Sequence, residues 1–285
     1  PDTAALKAFY ETFGFKGLAR AIADGHGSGG ASAGASNKSG GKKFEPNLAL
    51  FDEPEPVVSN ITEKKYDCVL SWEQFDVWFS KLQTAALVAF DTETSSVDAM
   101  RAELVGLSFS VQTGEACYIP LAHSYGDAPT QLPLQEVLAK LKPWFENPQH
   151  FKLGQHIKYD RHVMANYDVN VQGYAHDTLL QSYVLEVHKP HGLESLAQRH
   201  VGRKGLSYED LCGKGAHQIP FSQVDVARAT EYSCEDSDMT LDVHQVLWPR
   251  LQADDKLRFI YELEMASSEA LYRIERNGVL IDAPT

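Results

Sequence analysis

Cysteine is scarce and unpatterned. The four cysteines, Cys68, Cys117, Cys212 and Cys234, contain no C-x-x-C pair. That excludes the usual zinc and disulfide frameworks and fits free thiols in a reducing cytoplasm. Basic charge is also short: 26 Lys and Arg stand against 39 Asp and Glu, a net charge of −13. A protein that coats nucleic acid over a broad face needs the opposite balance. A local nucleic-acid site survives that argument, and a cluster of acids that holds cations would itself tilt the chain acidic. No apolar run approaches a membrane span and no signal peptide is visible, so no membrane role is expected. What remains is globular composition, with 43% hydrophobic and 23% charged among 285 residues. There is room for one large domain or two small ones. Pro1 and Thr285 look like the cut ends of something longer.

The chain is organised around L-V-A-F-D-T-E-T, from Leu87 to Thr94. The apolar run from Ala85 to Phe90 is too short for a helix and reads as a buried strand. Asp91 and Glu93 then stand two apart, which on a strand places them on one face with Thr92 turned away. Two carboxylates there repel each other unless protons or a divalent cation neutralise them. Oxygen-only ligands suit Mg²⁺ or Mn²⁺. A lone D-x-E reads better as a solvated loop, so the case depends on partners elsewhere.

In chain order, residues 1–22 carry helical spacing but are too short to fold alone. From Ala23 to about Pro56 the Gly/Ser-rich composition reads as a flexible linker. Tyr66 to Leu70 reads as a strand, and Ser71 as the N-cap of a helix from Trp72 to Gln83. Leu104–Val111 and Ala116–Pro120 read as strands, Leu134–Phe145 as a helix, and Phe151–Leu153 as a short strand released by Gly154. Helices are expected over Gln155–Asn166, from Asp177 (its N-cap) to Val187, over Leu193–Val201, over Val224–Leu247 and over Asp255–Asn277. The last is closed by Asn277-Gly278. The alternation gives an α/β fold, a mixed sheet covered by helices.

Two further carboxylates have company. Asp160 falls on the helix after Gly154, with His156 one turn earlier on the same face; Tyr232 and Asp236 are four apart on another helix. Each pairing alone is ordinary. Together and in order, D-T-E-T, then Y-D, then Y-x-x-x-D resembles the three motifs of the proofreading 3′→5′ exonuclease domain of bacterial DNA polymerase I. The resemblance runs from about Lys65 onward and includes L-V-G-L-S-F, Y-I-P-L-A-H, D-T-L-L-Q-S-Y and R-I-E-R-N-G-V-L-I-D.

The resemblance implies a ribonuclease H-like exonuclease fold. It implies that Asp91, Glu93, Asp160 and Asp236 hold two divalent ions, Mg²⁺ or Mn²⁺, with Glu93 and Tyr232 orienting the attacking water. It places Val97, Gln155, His156, Tyr159 and Tyr208 against the terminal nucleotides, where aromatic stacking tolerates any base. The family usually has Asn at His156, often Leu at Val97, and commonly a basic residue where Pro190 stands. A histidine one turn before Asp160 would repel the cations when protonated, so activity is expected to be acid-sensitive.

By the same resemblance, residues 1–22 are the tail of a missing 5′ nuclease domain and 23–63 a linker. Residues 64–255 are the exonuclease domain, and 256–285 the first helix of a truncated polymerase domain. The implied partners are a single-stranded or frayed 3′ end of DNA and the polymerase domain of the parent chain. The implied setting is a monomer in a bacterial cytoplasm, associated with the nucleoid. An RNA-trimming exonuclease and a catalytically inactive structural spacer are the alternatives. The scattered histidines read as surface or capping residues; Asp98, Glu103, Asp168 and Asp238 read as solvated acids, and the four tryptophans as packing.

Overall fold

A computed structural model describes residues 64–280. The expected tail, the linker (with its Lys42-Lys43) and the last five residues lie outside the described residues. Six strands form one mixed sheet: β1 (Lys65–Cys68), β2 (Val88–Thr94), β3 (Leu104–Gln112), β4 (Glu115–Pro120), β5 (Lys152–Gly154) and β6 (Tyr174–Asp177). Their order is β1-β4-β3-β2-β5-β6. β2 pairs antiparallel with β3, and β3 with β4 through the turn at Gly114, while β1 joins β4, and β5 and β6 extend from β2, in parallel.

The helices are α1 (Trp72–Thr84), α2 (Leu134–Phe145), α3 (Ile157–Ala165), α4 (Thr178–Leu185), α5 (Leu193–Val201), α6 (Tyr208–Cys212), α7 (Val226–Gln252) and α8 (Asp255–Asn277). Ser71 caps α1 in a capping box with Gln74, which meets two otherwise unpaired amides of the first turn. One sheet face packs Phe90, Leu107 and Phe109 against Phe75, Trp78, Leu141, Phe145 and Val163. That is the face of α1, α2 and α3. The other packs Val105, Ala116 and Tyr118 against Leu211, Phe221 and Cys234, the face of α6 and α7. β2 is therefore sandwiched, and alternate residues of it look toward α3 and α7.

Gly106 matters to this packing. A Cβ there would lie 2.1 Å from the Tyr118 hydroxyl, so only glycine lets that ring cross β3. Tyr118 in turn meets His123 Nε2 at 2.9 Å, and His123 Nδ1 meets the Val224 carbonyl at 3.0 Å. The phrase Y-I-P-L-A-H is thus a buried tether between the sheet and the approach to α7.

Several expectations need correction. The helix expected from Gln155 begins at Ile157, because His156 adopts a left-handed conformation, φ 64°. β6 and α6 are additional elements; their sequences Y-A-H-D and Y-E-D-L-C are too short to carry a period. α7 runs past Trp248-Pro249 to Gln252. Proline removes one backbone hydrogen bond, but buried Leu247 and Leu251 continue the inward stripe on either side. Asp238 is fully buried rather than solvated: it accepts from Tyr66 Oη, Arg203 Nη2 and the Gly114 amide at 2.7–2.8 Å. Arg203 came to light only through the fold. His123, His162 and His200 are buried as well.

Lys152 is an unforeseen core residue. Its ammonium donates to the carbonyls of Trp144, Phe145 and Asn147 at 2.8–3.1 Å, at the C-terminal end of α2, and lies 4.6 Å from the Trp144 ring centre. Burial pulls its pKa down toward about 7. Three carbonyls at a helix C-terminus and an aromatic face all favour the charged form, and we regard it as an ammonium.

Candidate active site

Strand alternation assembles the site. Asp91 and Glu93 share the α7 face of β2, and Asp236 reaches them from α7. One oxygen from each of the three carboxylates lies within 4.8 Å of the others. Thr92 points the opposite way, as expected of its position, and there it does unexpected work. Its amide and hydroxyl donate to Asp160 Oδ1 at 3.0 and 2.7 Å. So the fourth acid is tied to the strand from the α3 side, with one oxygen already committed. It is outside the tight group of three, yet near enough that the charge of Asp91 raises it.

Burial dominates the electrostatics. Asp91 is pushed up to about 7 by desolvation. Glu93 is pushed well up by burial, then by the charges of Asp91 and Asp236. Asp160 and Asp236 are raised by burial and then by Asp91. The four acids are raised together, by burial first and then by neighbouring acids for three of them. Divalent cations with oxygen preference fit such a donor set: carboxylates only, convergent, and costly to leave charged alone.

Sequence reasoning missed Ser233. Its hydroxyl donates to Glu93 Oε1 at 2.6 Å, fixing that carboxylate from the turn of α7 between Tyr232 and Asp236. The signal was present in Y-S-C-E-D, where the residue after Tyr232 points toward the strand. Tyr232 hydrogen-bonds Asp236. Burial, then the charges of Asp236, Glu93 and Asp91, raise its phenol far above the ordinary range. It is a neutral hydroxyl at any physiological pH.

The remaining candidates divide. The Tyr159 hydroxyl is engaged by Thr94 Oγ1 at 2.6 Å and by the Ser96 carbonyl. Tyr208, 40% exposed, stacks on Phe221 at 6.5 Å, and Phe221 meets Tyr232 at 6.1 Å. An aromatic row therefore leads from the surface to the acids; Phe221 was not anticipated. Glu93 is among the charges felt by both Tyr159 and Tyr208. Val97 is almost wholly exposed. The Gln155 amide is occupied, donating to the His191 carbonyl at 2.8 Å and accepting from Thr178. His156 is exposed, and its amide donates to Asp177 Oδ1 at 3.1 Å. It stands outside the carboxylate group.

A mixed sheet with acids on its central strand and helices on both faces is the ribonuclease H-like exonuclease architecture. In fold the chain is similar to Escherichia coli RNase D, described as an exoribonuclease involved in structured RNA processing. The TM-score is 0.54 at 15% identity, over 76% of this chain and 52% of that one. It is similar also to the POL domain of Pol1 from M. smegmatis in complex with DNA primer-template and dNTP, with TM-score 0.59 at 19% identity, over 76% and 33%. The chain belongs to the 3′-5′ exonuclease family whose model, DNA_pol_A_exo1, matches residues 66–252. It is 48% identical over 225 residues to DNA polymerase I of Pseudomonas aeruginosa, covering 78% of this chain and 25% of that protein. Against DNA polymerase I of Rhizobium leguminosarum it is 37% identical over 226 residues, covering 73% and 22%. The chain thus spans about a quarter of the length of these relatives.

Proposed function

We propose that this chain is the proofreading exonuclease segment of a DNA polymerase I. It removes nucleotides from a DNA 3′ end and releases nucleoside 5′-monophosphates, supporting replication and repair. The observation that carries the reading is the convergence of Asp91, Glu93 and Asp236 within 4.8 Å, in a member of a 3′-5′ exonuclease family. Two divalent ions, Mg²⁺ or Mn²⁺, held by these acids and Asp160, would supply an activated water and stabilise the leaving 3′ oxygen.

The chain's own residues do the rest. Thr92 and Ser233 fix Asp160 and Glu93, so each acid presents its remaining oxygen in a set direction. Glu93 and the neutral Tyr232 hydroxyl orient the water; the phenol can donate and accept without changing charge. Tyr159, with its hydroxyl engaged, and Tyr208 offer rings for terminal bases to stack on. Val97, Gln155 and His156 complete the strand's path, Gln155 by holding the His191 segment. Residues 64–255 form the exonuclease domain, 1–22 and 256–285 belong to flanking nuclease and polymerase domains, and 23–63 link them. The protein works as one chain in the cytoplasm on nucleoid DNA, fed by the polymerase domain.

The test uses labelled single-stranded DNA, blunt duplex DNA and matched RNA with Mg²⁺. Faster 3′ degradation of single-stranded DNA is expected, because terminal bases must leave the stack. Preference for RNA would favour an RNA-trimming enzyme. No hydrolysis, together with no Mn²⁺ binding by calorimetry, would leave only a structural spacer.

A further inference from the structure

The family match ends at residue 252, just before α8 begins at Asp255. Yet α8 holds the helix that carries Asp160. α3 has only nine residues, and its N-cap residue makes no side-chain cap. A helix that short does not fix its own position. Its inner face delivers Tyr159 and Asp160 to the site. Its outer face, Lys158, Arg161 and His162 at helical spacing, is taken up by α8 together with Tyr174 of β6. Arg161 lies between the rings of Tyr174 and Tyr272, 3.8 and 3.9 Å from their centres. Its Nη2 donates to Glu269 Oε2 at 2.7 Å. The next residue, His162, packs on Tyr272 at 4.6 Å and meets Glu275 Oε2 at 2.7 Å. Lys158 pairs with Glu275. At the far end, Arg276 donates to Asn166 Oδ1 at 2.8 Å.

We propose that α8 is a functional part of the exonuclease site. It is a brace that sets the position of α3, with Arg161 as the positioning residue for Asp160; this rests on the metal-dependent hydrolysis proposed above. Asp160 is buried, like-charged with Asp91, and anchored on one side only, by Thr92. Repulsion would drive it and its short helix outward. The Arg161 sandwich opposes that motion directly, one residue away, and a planar guanidinium between two rings cannot be replaced by an ammonium. Ligand geometry of this kind must hold to about 0.5 Å; Ile157, Val163 and Met164 seat the inner side of α3 on the core, Asp177 accepts its first amides, and α8 clamps the outer side that those contacts leave free.

The test uses the full chain, with thermal melting to establish folding. Arg161→Lys keeps the charge and loses the stack; Tyr272→Ala removes one face of the sandwich; Tyr272→Phe keeps it. Arg161→Lys and Tyr272→Ala are expected to weaken Mn²⁺ binding by calorimetry about 10–100-fold, the usual effect of losing an outer-shell support. The Mg²⁺ needed for half-maximal hydrolysis should rise in step, with KM for the DNA strand unchanged. Tyr272→Phe should behave as wild type. If Tyr272→Ala does not fold, Arg161→Lys decides. A folded Arg161→Lys protein that binds Mn²⁺ like wild type overturns the brace and leaves the hydrolysis reading standing. A wild-type chain that neither binds Mn²⁺ nor hydrolyses DNA overturns both.

Discussion

At the scale of single residues, the buried acids cost stability while they are charged and uncompensated. Asp236 sits with Asp91 and Glu93 in one group, where the charges of Asp91 and Asp236 raise Glu93 and that of Asp91 raises Asp236. Asp236→Asn keeps the shape and deletes one charge. Hydrolysis should fall by more than the roughly 10–100-fold that loss of an outer-shell partner costs. The metal-free protein should melt higher, since like-charge repulsion is relieved. Lower melting together with near-normal hydrolysis would mean that the acids are structural. His156 gives the opposite expectation. Its left-handed backbone, φ 64°, suits Asn and His among non-glycine residues, so a histidine here has a backbone reason that involves no metal. His156→Asn should therefore leave the pH profile of hydrolysis superimposable on wild type at low Mg²⁺. A shallower acid limb in the variant would restore the acid-sensitivity that the sequence suggested. His156→Val should cost about 1–2 kcal/mol in urea unfolding, the strain of a left-handed branched residue.

At the scale of elements, one side chain starts two helices. Asp177 Oδ1 accepts from the Leu179 amide at 2.9 Å at the start of α4 and from His156 at 3.1 Å; Oδ2 accepts from Ile157 at 3.0 Å at the start of α3. Its own amide donates to Tyr261 of α8 at 3.0 Å. A cap is worth about 1–2 kcal/mol, so Asp177→Ala should lose about 2–4 kcal/mol in urea unfolding. A loss confined to one cap's worth would show that the second helix does not depend on it. The sequence disclosed Asp177 as the cap of α4, because D-T-L-L precedes an apolar run, and it disclosed α2, α5 and α8 to the residue. Period and capping chemistry are local, and those helices are local objects. The second role of Asp177, Asp238 with Arg203, Ser233 on Glu93 and the carbonyl cradle of Lys152 join residues far apart in the chain. No spacing rule reaches them. The three acids that the structure brings together were legible because their motifs are short and ordered. The geometry that divides the four acids into a tight three and a tethered fourth follows from strand alternation meeting two helices on opposite faces.

At the scale of the whole molecule, the acids make stability depend on pH in an unusual direction. A carboxylate whose folded pKa is raised holds its proton longer in the folded state than in the unfolded one. Its contribution is full below the unfolded value, near 4, and is lost as pH rises through the folded value. For Asp91 that value is about 7, and Glu93, Asp160 and Asp236 are displaced the same way. Other groups oppose this at low pH. His176 and His244 are held neutral by burial, at about 4 and about 3, so they lose stability as pH falls below the ordinary histidine range. Glu186, drawn down to about 2 by His200 and Arg250 against the opposing effect of burial, loses its contribution only in strong acid. Above pH 6.5 the histidine contribution fades over about one pH unit, and His123, His150 and His162, lowered by burial as well, share in it; Lys152 would push the same way only if neutral, and its three carbonyl acceptors keep it charged in the folded state. In EDTA, melting temperature should therefore fall between pH 6.5 and 8. Each kcal/mol lost is worth about 2–4 °C in a domain of this size. Saturating Mn²⁺ should reverse the slope, because metal binds the ionised acids and stabilises the folded state by mass action. Scanning calorimetry at pH 6.5, 7.2 and 8, with EDTA and with Mn²⁺, checks both limbs. Asp236→Asn should flatten the EDTA slope. A slope unchanged by that substitution would place the titrating groups elsewhere, and a slope of the opposite sign would mean that the lowered histidines, or a neutral Lys152, outweigh the acids.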